Sequence, residues 1–428
     1  MSLRSSLRPH YHTLIRKPVL RLLPPLLQRL PLSSTVFGPP KGTVASTKEW
    51  VEYYNSNGKR PLASYTKVGE GQHIRRTAPK TIHAIPHSAF KELEAKAEET
   101  FVASIPNGRT WGQDGAIITP DDKLLTDVSA EYDHERYIRG KHSVFSQVKL
   151  PPLHVEDGTV AVLTTLSADY YAHWLLDILP RIELLEQAGY SAESIDKFYL
   201  VDCQSPYQKE TLNMLGVPEA KIIDSKRFPH IQASKLLVPS LVSGVFKPTK
   251  QILNSLRDKL SSTDLNSAVD RPRRIYISRS ATKWRRVVNE DEVVHLLNFF
   301  GFTTIRAEDY TVAEKSALFS EADVIVAAAG SGYANMLFCK PGTTVIEFFH
   351  PESQEFPTWF LCDELDLNYF YFFADGCIPG ERAIKADIKV NIDFLRQTLQ
   401  HAGVDVANGK KNEGVDKPAQ GATRSPKL

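Results

Sequence analysis

Three polar residues recur every four positions in a segment that is otherwise mostly apolar. His173, Asp177 and Arg181 have this spacing, and on a helix they form one polar stripe about 80° wide. We therefore expect a buried helix whose stripe either pairs internally or lines a cavity. Asp177, flanked by a histidine and a cation, is a candidate general base. A buried network that only holds the helix in place is the alternative interpretation.

Seven Lys and Arg residues surround a second segment, which consists of a short predicted strand and the loop after it. The strand is Arg274-Ile-Tyr-Ile-Ser278, and a loop at the carboxyl end of a parallel strand faces the crevice where such sheets bind ligands. The arginine fork matches the oxygen atoms of a phosphate. The seven cations are Arg271, Arg273, Arg274, Arg279, Lys283, Arg285 and Arg286. A solvated basic loop or a nucleic-acid patch would explain this segment taken alone.

The third segment is a glycine-rich turn. Gly330-Ser331-Gly332 follows an apolar predicted strand and precedes a predicted helix, so backbone N–H groups and the positive end of the helix dipole face an anion there. Asn335 stands where the Gly-x-Gly-x-x-Gly pattern has its third glycine, which argues against a nicotinamide cofactor. Glu347, at the end of the next predicted strand, is placed to bind ribose hydroxyls. Ordinary packing explains both features equally well.

The elements that must position these segments alternate along the second half of the chain. After Gly158, short apolar strands alternate with helix-length segments, a pattern typical of a parallel, doubly wound sheet. A polar stretch over residues 261–271 separates two such blocks. We therefore predict an α/β fold with two Rossmann-like domains facing a cleft, in which ligands bind at the carboxyl ends of the strands.

The predicted organisation has five parts. They are a basic, disordered leader (1–48), an irregular α+β region (49–157) with one helical patch (89–100), a Rossmann-like acceptor-side domain (158–262), a Rossmann-like donor-side domain (271–402) and a disordered tail (403–428). Capping boxes predict helix starts at Asn289, with Glu292, and at Thr311, with Glu314. Asn391 should cap the last helix.

Length and charge narrow the function classes. A chain of 428 residues exceeds the ~150 expected for one domain, so two or three domains are predicted. Hydrophobic residues at 42% and charged residues at 24% are typical of a soluble globular protein. The net charge is +2, but residues 1–48 hold eight cations and no acid, so the rest carries −6. Because a nucleic-acid-binding body would have a basic face, no nucleic-acid partner is expected.

Cysteine usage and the leader bear on location. The four cysteines at 203, 339, 362 and 377 have no CxxC spacing and are too few to staple the chain. They favour a reducing compartment, and we predict a cytoplasmic location. No apolar run reaches the ~18 residues of a membrane-spanning helix. The leader has two interpretations, a disordered basic tail or a peripheral contact with the inner face of an anionic membrane.

Together and in this order, the three segments resemble glycosyltransferase family 61, in its bacterial members of capsular and exopolysaccharide type. The matching stretches are Tyr171-Ala-His-Trp-Leu-Leu-Asp-Ile-Leu-Pro-Arg181, Arg274-Ile-Tyr-Ile-Ser-Arg279 with Arg285-Arg286, and Gly330-Ser-Gly-Tyr-Ala-Asn335 with Pro341-Gly-Thr-Thr-Val-Ile-Glu347. The resemblance covers roughly residues 155–350. It implies a GT-B-like fold, a nucleotide-sugar donor and an inverting transfer to a hydroxyl acceptor in glycan or polysaccharide biosynthesis.

Inverting transfer needs a base for the acceptor proton and a stabiliser for the departing diphosphate. We assign Asp177 as the base, with His173 and Arg181 as its orienting partners or as acceptor contacts. Because the sequence has no Asp-x-Asp, we predict no metal and no other cofactor. The remaining assignments are Arg279, Arg285 and Arg286 to the diphosphate, and Gly330, Ser331, Gly332, Asn335 and Glu347 to the nucleotide.

One departure from the family pattern matters and keeps two alternatives open. The family's glycine loop usually reads His-Gly-Ala-Gly, and Ala329 stands at the histidine position. A non-catalytic relative that binds nucleotide sugars would fit this change. A nucleotide-sugar epimerase on the same two-domain plan would also fit, but it would act on the donor with no acceptor present.

Overall fold

A computed structural model describes most of the chain between Lys17 and Ala407. The described residues are 17–30, 33–58, 61–91, 93–133, 136–138, 142–201, 203–242, 248–261, 270–353, 356–376, 382–383 and 385–407. Across these ranges, no helix combines the length and the apolar character needed to cross a bilayer.

Helices α1 to α9 follow one another in chain order. They are α1 (Lys17–Gln28), α2 (Thr47–Ser56), α3 (171–187), α4 (Pro206–Met214), α5 (Lys250–Leu260), α6 (Glu290–Phe299), α7 (Val312–Glu321), α8 (Pro357–Glu364) and α9 (Ile392–His401). Segments of 3₁₀ helix are Ser88–Lys91, Ser143–Ser146, Glu219–Lys221, Ala307–Asp309 and Ser331–Phe338. The last of these is the helix predicted after the glycine-rich turn.

The strands are numbered in the same way. They are β1 (Gly42–Val44), β2 (Ser64–Gly69), β3 (His73–Arg75), β4 (Lys80–Thr81), β5 (Glu94–Lys96), β6 (Thr100–Pro106), β7 (Arg109–Trp111), β8 (Ala116–Ile118), β9 (Lys123–Leu125), β10 (Glu131–Asp133), β11 (Arg136–Ile138), β12 (His154–Val162), β13 (Lys197–Leu200), β14 (Ile222–Asp224), β15 (His230–Pro239), β16 (Arg274–Ile277), β17 (Thr303–Ile305), β18 (Val324–Ala328), β19 (Thr344–Phe349), β20 (Asn368–Phe373), β21 (Asp375–Gly376) and β22 (Ile388–Lys389).

The first sheet mixes strands from both sides of residue 158. Its order is β1-β9-β8-β7-β15-β12-β13-β14, and β6 joins β2 to the far half of β15. The strands from β12 to β15 run parallel, as predicted, whereas β6 and β7 join β15 antiparallel. The boundary predicted at 157/158 falls inside β12. The sequence pattern hid the start of this strand because none of its first six residues is buried, and Val155 faces solvent.

The second sheet is parallel throughout. Its order is β17-β16-β18-β19-β20-β4. The strands predicted at 274–278, 324–328, 344–348 and 369–373 are confirmed within one residue at each end. They were readable as short apolar runs because helices cover both faces of a parallel sheet. The sixth strand, β4, comes from the N-terminal part of the chain.

Residues 76–90, which we call the strap, cross from the first sheet to the second. The Thr77 N–H donates to Asp363 Oδ1 at 2.8 Å, and its carbonyl oxygen accepts the Trp359 Nε1–H at 2.9 Å. Further along, the Phe373 N–H donates to His83 Nε2 at 2.9 Å. The predicted region 49–157 therefore contributes to both sheets and does not form a unit of its own.

One apolar core joins the two halves. Helices α3, α4 and α5 pack against α7 and the Ser331–Phe338 helix. Fully buried members from the first half include Trp174, Leu176 and Leu253, and those from the second half include Phe319 and Ile325. The glycine-rich turn and the polar stripe are thus carried by elements that touch.

The prediction of a disordered leader over residues 1–48 is wrong for its second part. Helix α1 and strand β1 lie there, and β1 pairs with β9. The Lys41 ammonium binds the carbonyl oxygens of Leu27 and Leu30 at 3.3 and 2.7 Å, and a cation is favourable at the carboxyl end of a helix. Residues 1–16 lie outside the described residues.

The predicted tail also begins later than residue 403. Val404 is buried, and the Arg274 guanidinium donates to the Asp405 carbonyl oxygen at 2.6 Å. Packing therefore continues to the last described residue, and the tail predicted over 408–428 lies outside the described part of the chain.

Two local predictions are wrong. The helical patch at 89–100 is a short 3₁₀ turn followed by strand β5. Asn289 precedes α6, but its side chain makes no capping bond to the helix. Its amide instead pairs with both backbone groups of Val390, each at 2.9 Å. The Thr311 capping box and the Asn391 cap are confirmed.

Candidate active site

The polar stripe lies on a helix that widens for one turn. Helix α3 is α-helical over Tyr171–His173, π-helical over Trp174–Ile178 and α-helical again over Leu179–Gln187. The widened turn lies directly before Pro180, which has no N–H and whose ring would meet the carbonyl group four residues back in a regular helix. Single π turns of this kind are frequent at functional sites.

His173 and Asp177 form a hydrogen-bonded pair. His173 Nδ1 lies 2.8 Å from Asp177 Oδ2, and the two residues are only 8% and 6% exposed. A carboxylate bound to one ring nitrogen fixes the orientation of an imidazole and supports proton transfer at the other nitrogen. The pair therefore has the parts of a histidine–aspartate base.

Arg181 is engaged by the backbone of the first sheet. Its guanidinium donates to the carbonyl oxygens of Leu163 at 3.1 Å, Thr164 at 2.7 Å and Pro239 at 2.7 Å. These carbonyl groups lie at the carboxyl ends of β12 and β15, and Arg181 is 1% exposed. This contact set identifies Arg181 as the residue that fixes α3 to the sheet.

Replacing Arg181 with methionine should lower the free energy of unfolding by about 3 kcal/mol or more, because three buried carbonyl groups lose their donors. Urea unfolding monitored by circular dichroism measures this change. Arg306→Met is the matched control, because Arg306 is exposed and pairs only with a nearby carboxylate, and it should change stability by no more than ~0.5 kcal/mol. Equal losses in the two variants would remove the anchoring role.

Arg279 lies directly over the glycine-rich turn. Its Nε–H donates to the Arg285 carbonyl oxygen at 3.1 Å, and Nη2 donates to the Trp284 carbonyl oxygen at 2.9 Å. Burial, together with the charge of Arg285, lowers the pKa of Arg279 to about 10. A methyl group added at Gly330 would lie 1.8 Å from Arg279 Nη1. Position 330 therefore needs glycine to let the guanidinium approach.

The other two predicted phosphate ligands differ in position. Arg285 has a left-handed backbone, with φ of 57°, and its charge acts on both Arg279 and Glu347. Arg286 is exposed and forms a two-point ion pair with Asp387, with Nη2 2.6 Å from Oδ2. The pairing raises the pKa of Arg286. The structure thus groups Arg279 with Arg285 and places Arg286 on the surface.

Glu347 is buried among hydroxyl groups of its own half. Thr358 Oγ1 donates to Oε1 at 2.6 Å, and the Tyr369 hydroxyl donates to Oε2 at 2.5 Å. Burial raises the pKa of Glu347. Each carboxylate oxygen of Glu347 already accepts a hydrogen bond from within the protein. Glu347 is therefore not at an open strand end, which the predicted binding of ribose hydroxyls requires.

A hydrogen bond joins the stripe helix to the glycine-rich turn. The Tyr171 hydroxyl donates to Asn335 Oδ1 at 2.7 Å, and Asn335 Nδ2 donates to the Gly332 carbonyl oxygen at 2.9 Å. Ser331 and Gly332, both half-buried, open the 3₁₀ helix that carries Asn335. Of the predicted site residues, His173 and Asp177 lie on a helix that contacts the glycine-rich turn, and Arg279 lies above that turn.

The same stretch matches a known family. Residues 171–346 match the family model described as Glycosyltransferase 61, and this range begins at the helix that carries His173 and Asp177 and ends within β19, one residue before Glu347. This match supports assigning residues 171–346 to glycosyltransferase family 61. No curated protein sequence matches the chain.

The match over residues 171–346 supports a glycosyltransferase activity in general terms. At the position of the family's loop histidine, Ala329 is half-buried, and its N–H donates to the Phe348 carbonyl oxygen at 3.0 Å. Among the residues that the structure describes, no group of three or more His, Cys, Asp or Glu side chains is arranged to hold a metal ion.

Two residues near this glycosyltransferase 61 site escaped the sequence analysis. Lys315, on α7, packs against Tyr171, and the only sequence signal was its place in the first turn of a capped helix. Asp114 lies in the loop beside the carboxyl end of β12, and burial, followed by the charges of Glu131 and Asp169, raises its pKa to about 6. It occurs in a turn-rich stretch without any recognisable motif.

Proposed function

We propose that this family 61 enzyme is an inverting glycosyltransferase that moves a sugar from a nucleotide-sugar donor to a hydroxyl group of a glycan or another acceptor. The observation that carries the proposal is the Tyr171–Asn335 hydrogen bond. It joins the helix that carries His173 and Asp177 to the glycine-rich turn, whose backbone N–H groups suit an anion. A GT-B-like arrangement and a role in polysaccharide biosynthesis belong to the same proposal.

The base in this proposal is the His173–Asp177 pair. The acceptor hydroxyl passes its proton to His173 Nε2 while Asp177 holds Nδ1 and stabilises the imidazolium that forms. The sequence alone suggested that Asp177 itself accepts the proton of the acceptor hydroxyl. The 2.8 Å hydrogen bond supports treating the two residues as one unit in which the carboxylate orients the ring.

The leaving diphosphate is stabilised by cations in this proposal. Arg279 and Arg285 supply the charge, and the first turn of the Ser331–Phe338 helix supplies backbone N–H groups. Arg279 is half-buried and, among the described residues, no carboxylate lies within ion-pair distance of it. A guanidinium that is held by carbonyl groups and faces a glycine turn is pre-organised for an anion.

If cations replace a metal, transfer should be unchanged in the presence of EDTA. We expect the initial rate with excess chelator to lie within about twofold of the untreated rate. Adding Mg²⁺ or Mn²⁺ afterwards serves as the control for chelator side effects. A rate that vanishes with EDTA and returns with either metal would contradict a metal-independent mechanism.

A panel of nucleotide sugars tests the proposal. One donor should raise the unfolding temperature, because a ligand at 100 times its Kd adds about 2.7 kcal/mol to stability. With that donor and an acceptor panel, mass spectrometry should detect a glycosylated product, and NMR should show that its anomeric configuration is inverted relative to the donor. Donor binding without product would favour the non-catalytic alternative, and conversion of the donor alone would favour an epimerase. The cytoplasmic location and the membrane contact of the leader stay predictions.

A further inference from the structure

Lys315 is a buried cation at the junction of the two halves. It lies in the first turn of α7 and is 5% exposed. Its ammonium lies 4.5 Å from the centre of the Tyr171 ring. Among the described residues, no oxygen atom accepts a hydrogen bond from it and no carboxylate lies within 4.0 Å of it. Such a charge is costly to bury unless an anion accompanies it.

The nearby carboxylates are engaged elsewhere. Glu210, on α4, accepts the N–H groups of Val312 and Ala313, both at 2.8 Å. Glu314 accepts the Thr311 N–H at 2.7 Å in the capping box. Burial lowers the pKa of Lys315, although the charges of Glu210, Glu308 and Glu314 act in the opposite direction. Within the described part of the chain, the ammonium is therefore without a direct counter-ion.

Lys315 and Arg279 are both linked to the glycine-rich turn. The charge of Glu308 acts on both side chains, and Glu308 belongs to the short 3₁₀ turn after β17. The Tyr171 ring beneath Lys315 is tied through its hydroxyl to Asn335 of the glycine-rich turn. Helix α7 also packs directly on the helix that follows that turn. Arg279 thus lies over Gly330 of the turn, and Lys315 lies over the ring whose hydroxyl bonds to Asn335.

We propose that Lys315 binds a phosphate oxygen of the donor's diphosphate from the side opposite Arg279, an inference that rests on the proposed function. The lysine supplies a point charge, whereas the arginine supplies a fork. The Tyr171 ring holds the ammonium in place while the site is empty, since an aromatic face attracts a cation. Lys315 belongs to α7, so in this proposal a third element contributes to the diphosphate site beside the basic loop and the glycine-rich turn.

Titration of the full chain with diphosphates tests this assignment. Calorimetry would use ADP, CDP, GDP, UDP and inorganic pyrophosphate as probes, and the tightest of the five would be compared between variants. Lys315→Met keeps the apolar stem and removes the charge. It should lower the affinity for that probe roughly ten- to a hundredfold. Lys340→Met is the matched control, because Lys340 is exposed and pairs with Glu321 at 3.1 Å, and it should bind within about twofold of the parent.

Stability distinguishes a binding role from a structural one. Because Lys315 lacks a direct counter-ion, Lys315→Met should unfold at the same denaturant concentration as the parent or at a higher one. The lowered pKa means that the unfolded chain holds the proton more tightly. Any gain should therefore be largest at neutral pH and should shrink as the pH approaches the ordinary lysine value of 10.5.

Three outcomes decide the matter. Weakened binding with unchanged or raised stability supports the proposal. Unchanged binding in Lys315→Met, with the parent binding the probe, overturns it and leaves the proposed function standing. If the parent binds none of the five probes and no nucleotide sugar, the donor site itself is absent and both proposals fail.

Discussion

Asp177→Asn should lower the turnover number for sugar transfer by roughly 10²–10⁴-fold, the range by which a positioned base accelerates a reaction. The amide keeps the shape of the carboxylate but cannot stabilise an imidazolium at His173, and it favours the wrong tautomer of the ring. Donor affinity should change little, because the pair faces the acceptor in the proposed site. Initial rates at saturating donor, with the donor Kd measured in parallel, give both quantities.

The coupling between the two residues sharpens this test. His173→Gln should cost at least as much as Asp177→Asn, and the double variant should be hardly slower than the worse single variant, because the pair acts as a unit. Asp291→Asn, at an exposed position in the first turn of α6, is the control and should retain parental turnover. Additive losses in the double variant, or turnover within a fewfold of the parent in either single variant, would exclude the pair as the base.

Arg279→Ala should weaken nucleoside diphosphate binding by roughly ten- to a hundredfold, because one charge-assisted hydrogen bond contributes about 1.5–3 kcal/mol. The free nucleoside should bind almost equally well to parent and variant, since it lacks the phosphates. Gly330→Ala should reproduce the defect without removing the arginine, because the added methyl group would occupy the position of Nη1. Calorimetry with both ligands measures the difference.

Arg286→Ala is the matched control for Arg279→Ala. Arg286 is exposed and already paired with Asp387, so its removal should change diphosphate affinity by less than about twofold. Equal losses at positions 279 and 286 would mean that the basic loop acts through its overall charge. The proposed leaving-group site would then have to move to the helix after Gly332.

Sequence reasoning succeeded where the signal is local. Four strands of the second sheet, β16, β18, β19 and β20, were readable because each is a short apolar run, and the spacing of His173 and Asp177 dictates their contact on a helix. The Thr311 capping box is likewise encoded within four residues. In each case the neighbours in space are also neighbours in sequence, so periodicity and spacing carry the information.

The remaining features depend on partners that are distant in sequence. Arg181 shares the stripe spacing, yet its partners are carbonyl groups at the ends of two strands. Glu347 was predicted at a strand end, but it lies within β19 and is enclosed by Thr358 and Tyr369. No pattern around Lys315 shows that an aromatic ring from the other half lies beneath it. Tertiary packing decides these roles, and a single sequence does not encode it in any local spacing.

The strap has a consequence for exchanging parts between family 61 enzymes. Residues 76–90 precede the central strands of the first sheet in the chain but cover the β20 edge of the second, where they contact Trp359, Asp363 and Phe373. A hybrid joined at the linker 261–271 would inherit its donor half from one parent and its strap from the other. Unless the strap is transplanted with that half, a mismatched edge strand would invite pairing between molecules. Cutting the chain at the linker therefore does not separate the two halves, because the strap belongs to the first half in sequence and to the second half in space.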